Sequence, residues 1–407
     1  MKIINFEIYK NKWNMESEVI IKPGLESIQT ALEKLGNPQL KHKAIHVAGT
    51  NGKGSTISFL SAIAKEHNLS YGSFTSPSIV DVHDQINING KNVTAEQMDK
   101  AFQKMQQFGL SGMLTEFELL TVTAFLVFEQ EPLDVVFIEA GMGGRFDSTN
   151  VMDESVAVIP SISIDHTNFL GETVEEISWH KAGIMKKNSR LIVGQLPMEA
   201  KNVFLKEAEE KHVEVSQFGK DFIVTNHMFQ MGDNRYTNLY PLMLGEHQLS
   251  NMSLAIASLI VSGFTLEEAK IQKGVSAAFL FGRMEQVDEH VFFDGAHNNA
   301  SVDALVQTIR TFFPSKKIRF IVGILKDKDY VYMLRQLESV ASSFEFVDFE
   351  HERALSASIL YKHCLHSDKV LIGDVGKVDL SNEDEKVVTF VTGSLYLLTK
   401  LKEKIGN

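Results

Sequence analysis

The sequence predicts an α/β protein built of two α/β domains, on three observations. Its 407 residues exceed the size at which one hydrophobic core stops growing. Short apolar runs alternate with helical patterns along the chain, the alternation expected of a parallel sheet with crossover helices. A glycine-rich turn, GTNGKGS, joins the first apolar run to an amphipathic helix, the strand, loop and helix order of a P-loop-type domain.

Taken in order, the first strand is AIHVA after Lys43, and the helix beyond the turn places Ile57, Leu60 and Ile63 on one face. The apolar stretch from Phe117 to Phe128 is broken by Thr121 and Thr123. It is too short to cross a hydrocarbon layer that requires about 20 residues, and reads as a buried helix. Further strands are expected from Asp134 to Glu139, Val156 to Ile164 and Leu191 to Val193. Thr115 with Glu118, Thr173 with Glu176 and Thr265 with Glu268 have the spacing of capping boxes, so helices are expected to start there. After FLFGRMEQ a second alternation begins, with strands from Val291 to Phe293, Arg319 to Val322, Phe344 to Phe349, Val370 to Ile372 and Val387 to Val391. The boundary is placed near Arg283, separating domain 1–283 from domain 284–407. Without a low-complexity linker or a fixed-period repeat, the two units are expected to pack together around a cleft that holds the site.

Composition narrows the function. A formal net charge of −12 with no basic run argues against a nucleic-acid partner, because binding to a phosphate backbone rests on clustered Lys and Arg. The N-terminal MKIINFEIYKNKWNM lacks an apolar core followed by a small-residue cleavage site. The lone cysteine, Cys364, cannot form an internal disulfide and suits a reducing compartment. A cytoplasmic protein with no membrane partner is expected. His363 and His366 flank that thiol, but a cysteine beside histidines is more often without metal.

The chemistry concentrates at strand ends. In Gly49-Thr50-Asn51-Gly52-Lys53-Gly54-Ser55-Thr56 a glycine separates the lysine from the hydroxyl residue, a departure from the usual phosphate-loop spacing. The loop still offers backbone N–H groups, a helix N-terminus, a lysine charge and a hydroxyl for magnesium, which favours phosphate binding over a plain flexible turn. Glu139 closes a buried strand, where a carboxylate requires a cation, and beside phosphates magnesium is the obvious one. An exposed strand-end glutamate is the alternative. Ser163-Ile164-Asp165-His166 ends a third strand, and His180-Lys181-Ala182-Gly183 lies in the helix after it. Alone, His166 reads as a structural histidine and Lys181 as a solvated lysine. In the second domain Asp294-Gly295-Ala296-His297 follows a strand, where ligands bind in such sheets. Asp294 could accept from a ribose hydroxyl and His297 approach a nucleotide, while an Asx turn explains the pattern equally well.

Together KPGLESI, HVAGTNGKGST, FTSPS, TEFELLT, IEAGMGGRFDSTN, SIDHTNFLG, HKAGI, GEHQLSN, FGR, DGAHN, LKDKD and VTGSLYLL resemble, in order and spacing, the folylpolyglutamate and dihydrofolate synthase branch of the Mur ligase superfamily. The resemblance implies an N-terminal ATPase domain and a C-terminal Rossmann-like domain, with ATP and Mg2+ as cofactors. ATP would phosphorylate a dihydropteroate or folate carboxylate, and the amine of L-glutamate would attack the acyl phosphate. By motif position it implies Lys53 as the phosphate lysine and Ser55, Ser76, Glu139 and His166 as magnesium ligands. Lys181 matches a lysine carbamylated in the family and would join them in that form; Lys53, Glu139, His166 and Lys181 are the catalytic candidates. Asn51, Gly52, Lys53, Gly54, Ser55, Thr56, Asn251, Arg283, Asp294 and His297 match nucleotide-contacting positions. Ile21, Lys22, Pro23, Thr115, Glu116, Phe117, Glu118, Phe146, Asp147 and Ser148 match the pterin side, although Thr115 and Glu118 also explain themselves as a cap. A monomer acting on small molecules is implied.

The sequence departs from the family pattern at Ser27 (usually Arg), Ser78 (Phe or His), Asp84-Gln85 (Glu-Arg) and Asn299 (Pro). Two positive charges are thereby missing, and these bear on the acceptor rather than on ATP. A sibling Mur-type ligase acting on another carboxylate, and a nucleotide-binding paralogue without turnover, are the alternatives.

Overall fold

The structure is a computed structural model and describes residues 5–18, 24–381 and 384–405. The chain divides into two compact units, Met1–Leu242 with Leu249–Ala278, and Met243–Gln248 with Phe279–Asn407. The short piece Met243–Gln248 thus belongs with the second unit, although the chain on either side of it belongs with the first.

In the first unit eight strands form one sheet: β1 (Ala44–Val47), β2 (Tyr71–Phe74), β3 (Ile86–Ile88), β4 (Lys91–Asn92), β5 (Val135–Glu139), β6 (Ser155–Ile159), β7 (Arg190–Val193) and β8 (Glu214–Gln217). Their order is β4-β3-β2-β5-β1-β6-β7-β8. From β2 to β8 the pairing is parallel, and β3 and β4 add an antiparallel edge. β1 and β5 are buried along their whole length, as continuous apolar runs in a doubly covered sheet should be. The chain leaves β1 toward β2 on one side and later returns to β6 on the other, so the exit of β1 lies at a topological switch point, where such sheets bind ligands.

The helix Glu116–Glu129 is buried at every position from Leu119 to Phe128, as its apolar stretch predicts. Thr115 caps it, and Thr173 caps the helix Val174–Ala182, each through a reciprocal capping box. Thr265 does not cap. The helix Glu268–Ala277 begins later, without a side-chain cap, because the Glu268 carboxylate instead accepts from the backbone N–H and hydroxyl of Thr237, both at 2.7 Å. The expected strand to Ile164 also stops early, at Ile159, where Pro160 has no N–H to continue a ladder. Residues 160–165 are therefore loop, not strand. A separate antiparallel sheet of β9 (Ile223–Thr225), β10 (Met228–Met231) and β11 (Asn234–Tyr236) was not visible as an apolar alternation.

The second unit carries β12 (Glu285–Asp288), β13 (Val291–Asp294), β14 (Lys317–Val322), β15 (Ser343–Asp348), β16 (Lys369–Asp374) and β17 (Val387–Thr392) in the order β12-β13-β17-β14-β15-β16. All pairs are parallel except β12 with β13. Phe292 stacks on Phe390 at 5.4 Å and Phe320 on Phe344 at 5.6 Å, ring pairs that add directional packing to roughly 2 kcal/mol of burial each. Cys364 is buried in this core. Its histidine neighbours diverge, His363 onto Tyr330 and His366 onto Phe344. Asn299 is the first residue of the helix Asn299–Phe312, a position that favours proline, so that departure lies at a helix start.

Candidate functional site

The strand β1 runs directly into the glycine-rich loop, and the helix Lys53–Glu66 begins from Gly52, whose φ of 87° is left-handed. A side chain is excluded there on a second count, since a Cβ would lie 2.5 Å from Asn251 Oδ1. Asn251 is thereby placed against the loop. The loop is stitched to the segment after β6: the Thr50 hydroxyl donates to the Ser163 carbonyl and accepts from its N–H, both at 3.0 Å. Asn51 N–H donates to Ser161 Oγ at 3.1 Å. The Thr56 hydroxyl donates back to the Gly52 carbonyl at 2.8 Å, while Ser55 is buried beside it.

A polar cavity opens above this loop. Gly49, Thr50 and Lys53 form one wall, Ala140 to Gly143 a second, Asp165, His166 and Leu170 a third, and Lys181 completes it. Lys53 Nζ donates to the carbonyls of Gly49 and Thr50 at 3.2 and 3.4 Å and stands 3.9 Å from the buried Glu139 carboxylate. The other Glu139 oxygen accepts from Ser76 N–H at 3.4 Å, bringing a third expected residue to this corner. Lys181 is buried, and its ammonium donates to the Gly49 carbonyl at 2.8 Å. Burial, helped by the nearby Lys53 charge, pulls its pKa down to about 7. His166 takes a left-handed backbone, φ 53°, and its half-exposed ring lies 4.0 Å from Asp165. Asp165, in the motif SIDHTNFLG, is a wall residue that lies outside the expected site residues. Its adjacency to His166 was the available signal.

The opposite rim comes from the loop after β5. Asp147 is buried, which pushes its carboxyl pKa up, against hydrogen bonds and the Lys53 charge that pull it down. Its oxygens accept from Met142 N–H at 2.7 Å and from the Thr149 N–H and hydroxyl at 3.1 and 2.5 Å. Ser148 Oγ pairs with Thr121 Oγ1 at 2.8 Å. Phe146 does not join them. It is 47% exposed and lies against Trp179 and His180. Arg145 N–H donates to the His180 carbonyl at 2.6 Å, and a Cβ on Gly183 would fall 2.5 Å from Arg145 Cα, so that only glycine permits this contact. Phe117 stacks on Phe74 at 5.9 Å. One Glu118 oxygen accepts from both Thr115 N–H and its hydroxyl at 2.8 Å, which makes the pair a cap first. Glu116 begins that helix. Ile21, Lys22 and Pro23 lie outside the described residues.

Two departures have local structural work. Asp84 accepts from the N–H groups of Ile79 and Val80 at 3.0 and 2.6 Å, folding the turn after Ser78. Gln85 is buried and donates to the Thr75 carbonyl at 3.3 Å. Ser27 lies in the helix Glu26–Lys34.

In the second unit the expected nucleotide residues hold their own turn. Asp294 is buried at the end of β13 and accepts from Met284 N–H and Ala296 N–H, both at 3.0 Å. Burial raises its pKa, while the Arg283 charge opposes this. His297 Nδ1 lies 2.8 Å from the Gly295 carbonyl. Arg283 also adds to the burial that takes His247 down to about 4.

Among the described residues no group of three His, Cys, Asp or Glu is arranged to hold a metal ion. Magnesium does not require one. It retains waters and phosphate oxygens and takes few protein carboxylates, and the oxygen donors of Glu139 and Ser55 beside a phosphate-type loop suit that preference.

Two family models match the chain: the Mur ligase middle domain over residues 47–259 and the Mur ligase glutamate ligase domain over 282–379. A dihydrofolate synthase/folylpolyglutamate synthase of Bacillus subtilis (strain 168) is 33% identical over 95% of each chain. That of Escherichia coli (strain K12) is 31% identical over 96% of this chain and 93% of its own. E. coli FolC in complex with DHPP and ADP superposes with a TM-score of 0.89 at 29% identity, covering 98% of this chain and 97% of that one. A Yersinia pestis bifunctional folylpolyglutamate synthase/dihydrofolate synthase complexed with AMPPNP and Mn ion also gives 0.89, at 28% identity and 98% of each chain.

Proposed function

The chain belongs to the folylpolyglutamate synthase and dihydrofolate synthase family of Mur ligases, and from that premise we propose that it joins L-glutamate to dihydropteroate, to a folate, or to both, using ATP. The observation that carries this reading is the convergence of Lys53, Asp165, His166 and Lys181, from separate segments, on one cavity beside a phosphate-type loop.

The γ-phosphoryl group of ATP passes to a carboxylate oxygen of the acceptor, releasing ADP and leaving an acyl phosphate. The glutamate amine then attacks the carbonyl carbon, the C–O bond to phosphate breaks, and the amine loses a proton as the amide forms. Little covalent chemistry falls to the protein in the first step, so positioning and charge stabilisation dominate. Loop N–H groups and the Lys53 ammonium neutralise phosphoryl oxygens. Glu139, Ser55 and Ser76, with His166, would hold magnesium, which supplies further stabilisation of phosphoryl charge. An amine with a pKa near 7 is partly neutral at physiological pH, the form that carbamylation of Lys181 requires. Asp294, His297, Arg283 and Asn251 serve the nucleotide, and Phe117, Asp147 and Ser148 the acceptor. No helix among the described residues is long and apolar enough to cross a membrane.

The test is phosphate release from purified protein with ATP, magnesium and L-glutamate, comparing dihydropteroate, tetrahydrofolate and no acceptor, with product masses. Acceptor-dependent release and a gain of one glutamate are expected. ATP binding with no acceptor-driven release or mass gain would overturn the reading.

A further inference from the structure

Beneath the loop after β5, two buried polar residues without a part in the chemistry above, His46 and Thr149, lead to Asp147. His46, on β1, is fully buried, and burial takes its pKa down to about 3, so the ring is neutral. Its Nε2 lies 2.9 Å from Oγ1 of Thr149, which is equally buried. The Thr149 hydroxyl donates to Asp147 Oδ1 at 2.5 Å, and Asp147 Oδ2 accepts from Met142 N–H at 2.7 Å, in the wall of the phosphate cavity.

A hydroxyl has one proton to give. With Asp147 ionised, the Thr149 proton goes to Asp147, the Thr149 oxygen accepts from His46, and the imidazole is the Nε2–H tautomer. Nδ1 is then a bare lone pair, and among the described residues it has no hydrogen-bond partner. A buried imidazole kept with one nitrogen unsatisfied calls for a use of the other. That use is visible in the topology. His46 belongs to the strand that runs into the phosphate loop, and Asp147 to the loop leaving the neighbouring strand β5, with His46 in register opposite Ile138.

We propose that His46 and Thr149 are positioning residues for the acceptor: as a relay, Nε2–H to Oγ1 and Oγ1–H to Oδ1, they orient Asp147 and with it the wall Ala140–Met142 against the phosphate loop. The proposal rests on the ligase reading. Thr149→Val is nearly isosteric and removes the hydroxyl. It should raise the acceptor KM about tenfold while the ATP KM stays unchanged, and Thr149→Ser should restore the wild-type value. His46→Leu should behave like Thr149→Val, and His46→Gln, whose carboxamide N–H can still donate, should recover most of the loss and serves if the valine variant does not fold. Independently of turnover, 15N NMR of the imidazole should show Nε2 protonated and Nδ1 bare in the wild type, with the Nε2 signal moving in Thr149→Val. An Nδ1–H tautomer, or equal changes in both KM values without rescue by serine, would overturn the relay. A wild type without acceptor-driven turnover would count against the ligase reading alone, and the imidazole signals would still decide the relay.

Discussion

Two strand ends, one in each unit, show opposite uses of the same resource. At the exit of β1, groups from distant segments converge: Lys53, Asp165, His166 and Lys181 line one cavity, with Glu139 3.9 Å from Lys53. At the exit of β13, Asp294 and His297 satisfy their own turn, through Met284, Ala296 and Gly295. In the first place charged side chains from several segments face one shared cavity. In the second, charge shapes the backbone a ligand would meet. Buried polar groups thus fall into two kinds, and substitution should distinguish them by whether rate or stability suffers.

The largest expected effect is on rate. Glu139→Gln should leave the circular dichroism spectrum and melting temperature in place and reduce turnover by ~10³-fold or more; wild-type turnover would remove Glu139 from the chemistry. Next is acid stability, which compares a histidine from each unit, His46 fully buried and His247 partly so. His46 and His247 have folded pKa values of about 3 and about 4, against 6.5 unperturbed. Each is depressed, so its contribution is full above pH 6.5 and declines as the unfolded state takes up the proton. Between pH 6.5 and pH 4, denaturant titration should show about 3 kcal/mol less loss in His46→Gln than in wild type. For His247→Gln the gain should level off near pH 4, whereas for His46→Gln it should continue toward pH 3. Equal acid profiles in all three proteins would break the comparison.

Asp294→Ala leaves two backbone donors without their acceptor and should destabilise by about 2 kcal/mol in denaturant melts. An unchanged stability with lost nucleotide binding would move Asp294 to the first kind. The smallest effect tests the overlap of cap and site. Thr115→Ala should cost about 1 kcal/mol of stability, with the acceptor KM little changed; a large KM rise would make Thr115 a contact as well as a cap.

What could be read from the sequence follows the range of each interaction. The α/β alternation and the capping boxes at Thr115 and Thr173 depend on neighbours in the chain and were legible. Thr265 has the same local spacing, yet Thr237 captures its partner Glu268 from across the fold, and no local rule contains that competitor. Pro160 ends its strand after Ile159, whereas the apolar pattern continues to Ile164 and predicts a longer one. At the site, Lys53 and Glu139 stand out by type at strand ends. Lys181 and His166 did so only through family resemblance, since a lysine in a helix has no mark of burial. The contact of His46 with Thr149 spans 103 positions and leaves no trace in spacing.

The close approach of Gly183 to Arg145 has a consequence for solvent exchange. Arg145 lies in a loop, but its amide points into the end of the helix Val174–Ala182 at 2.6 Å, and its guanidinium covers the Trp179 ring at 4.1 Å. Loop amides ordinarily exchange through small local openings, while here the hydrogen bond can open only if the helix end lifts as well. Deuterium should therefore enter Arg145 at the slow rate of that helix rather than at the rate of a surface loop, reporting the two segments as a single opening unit.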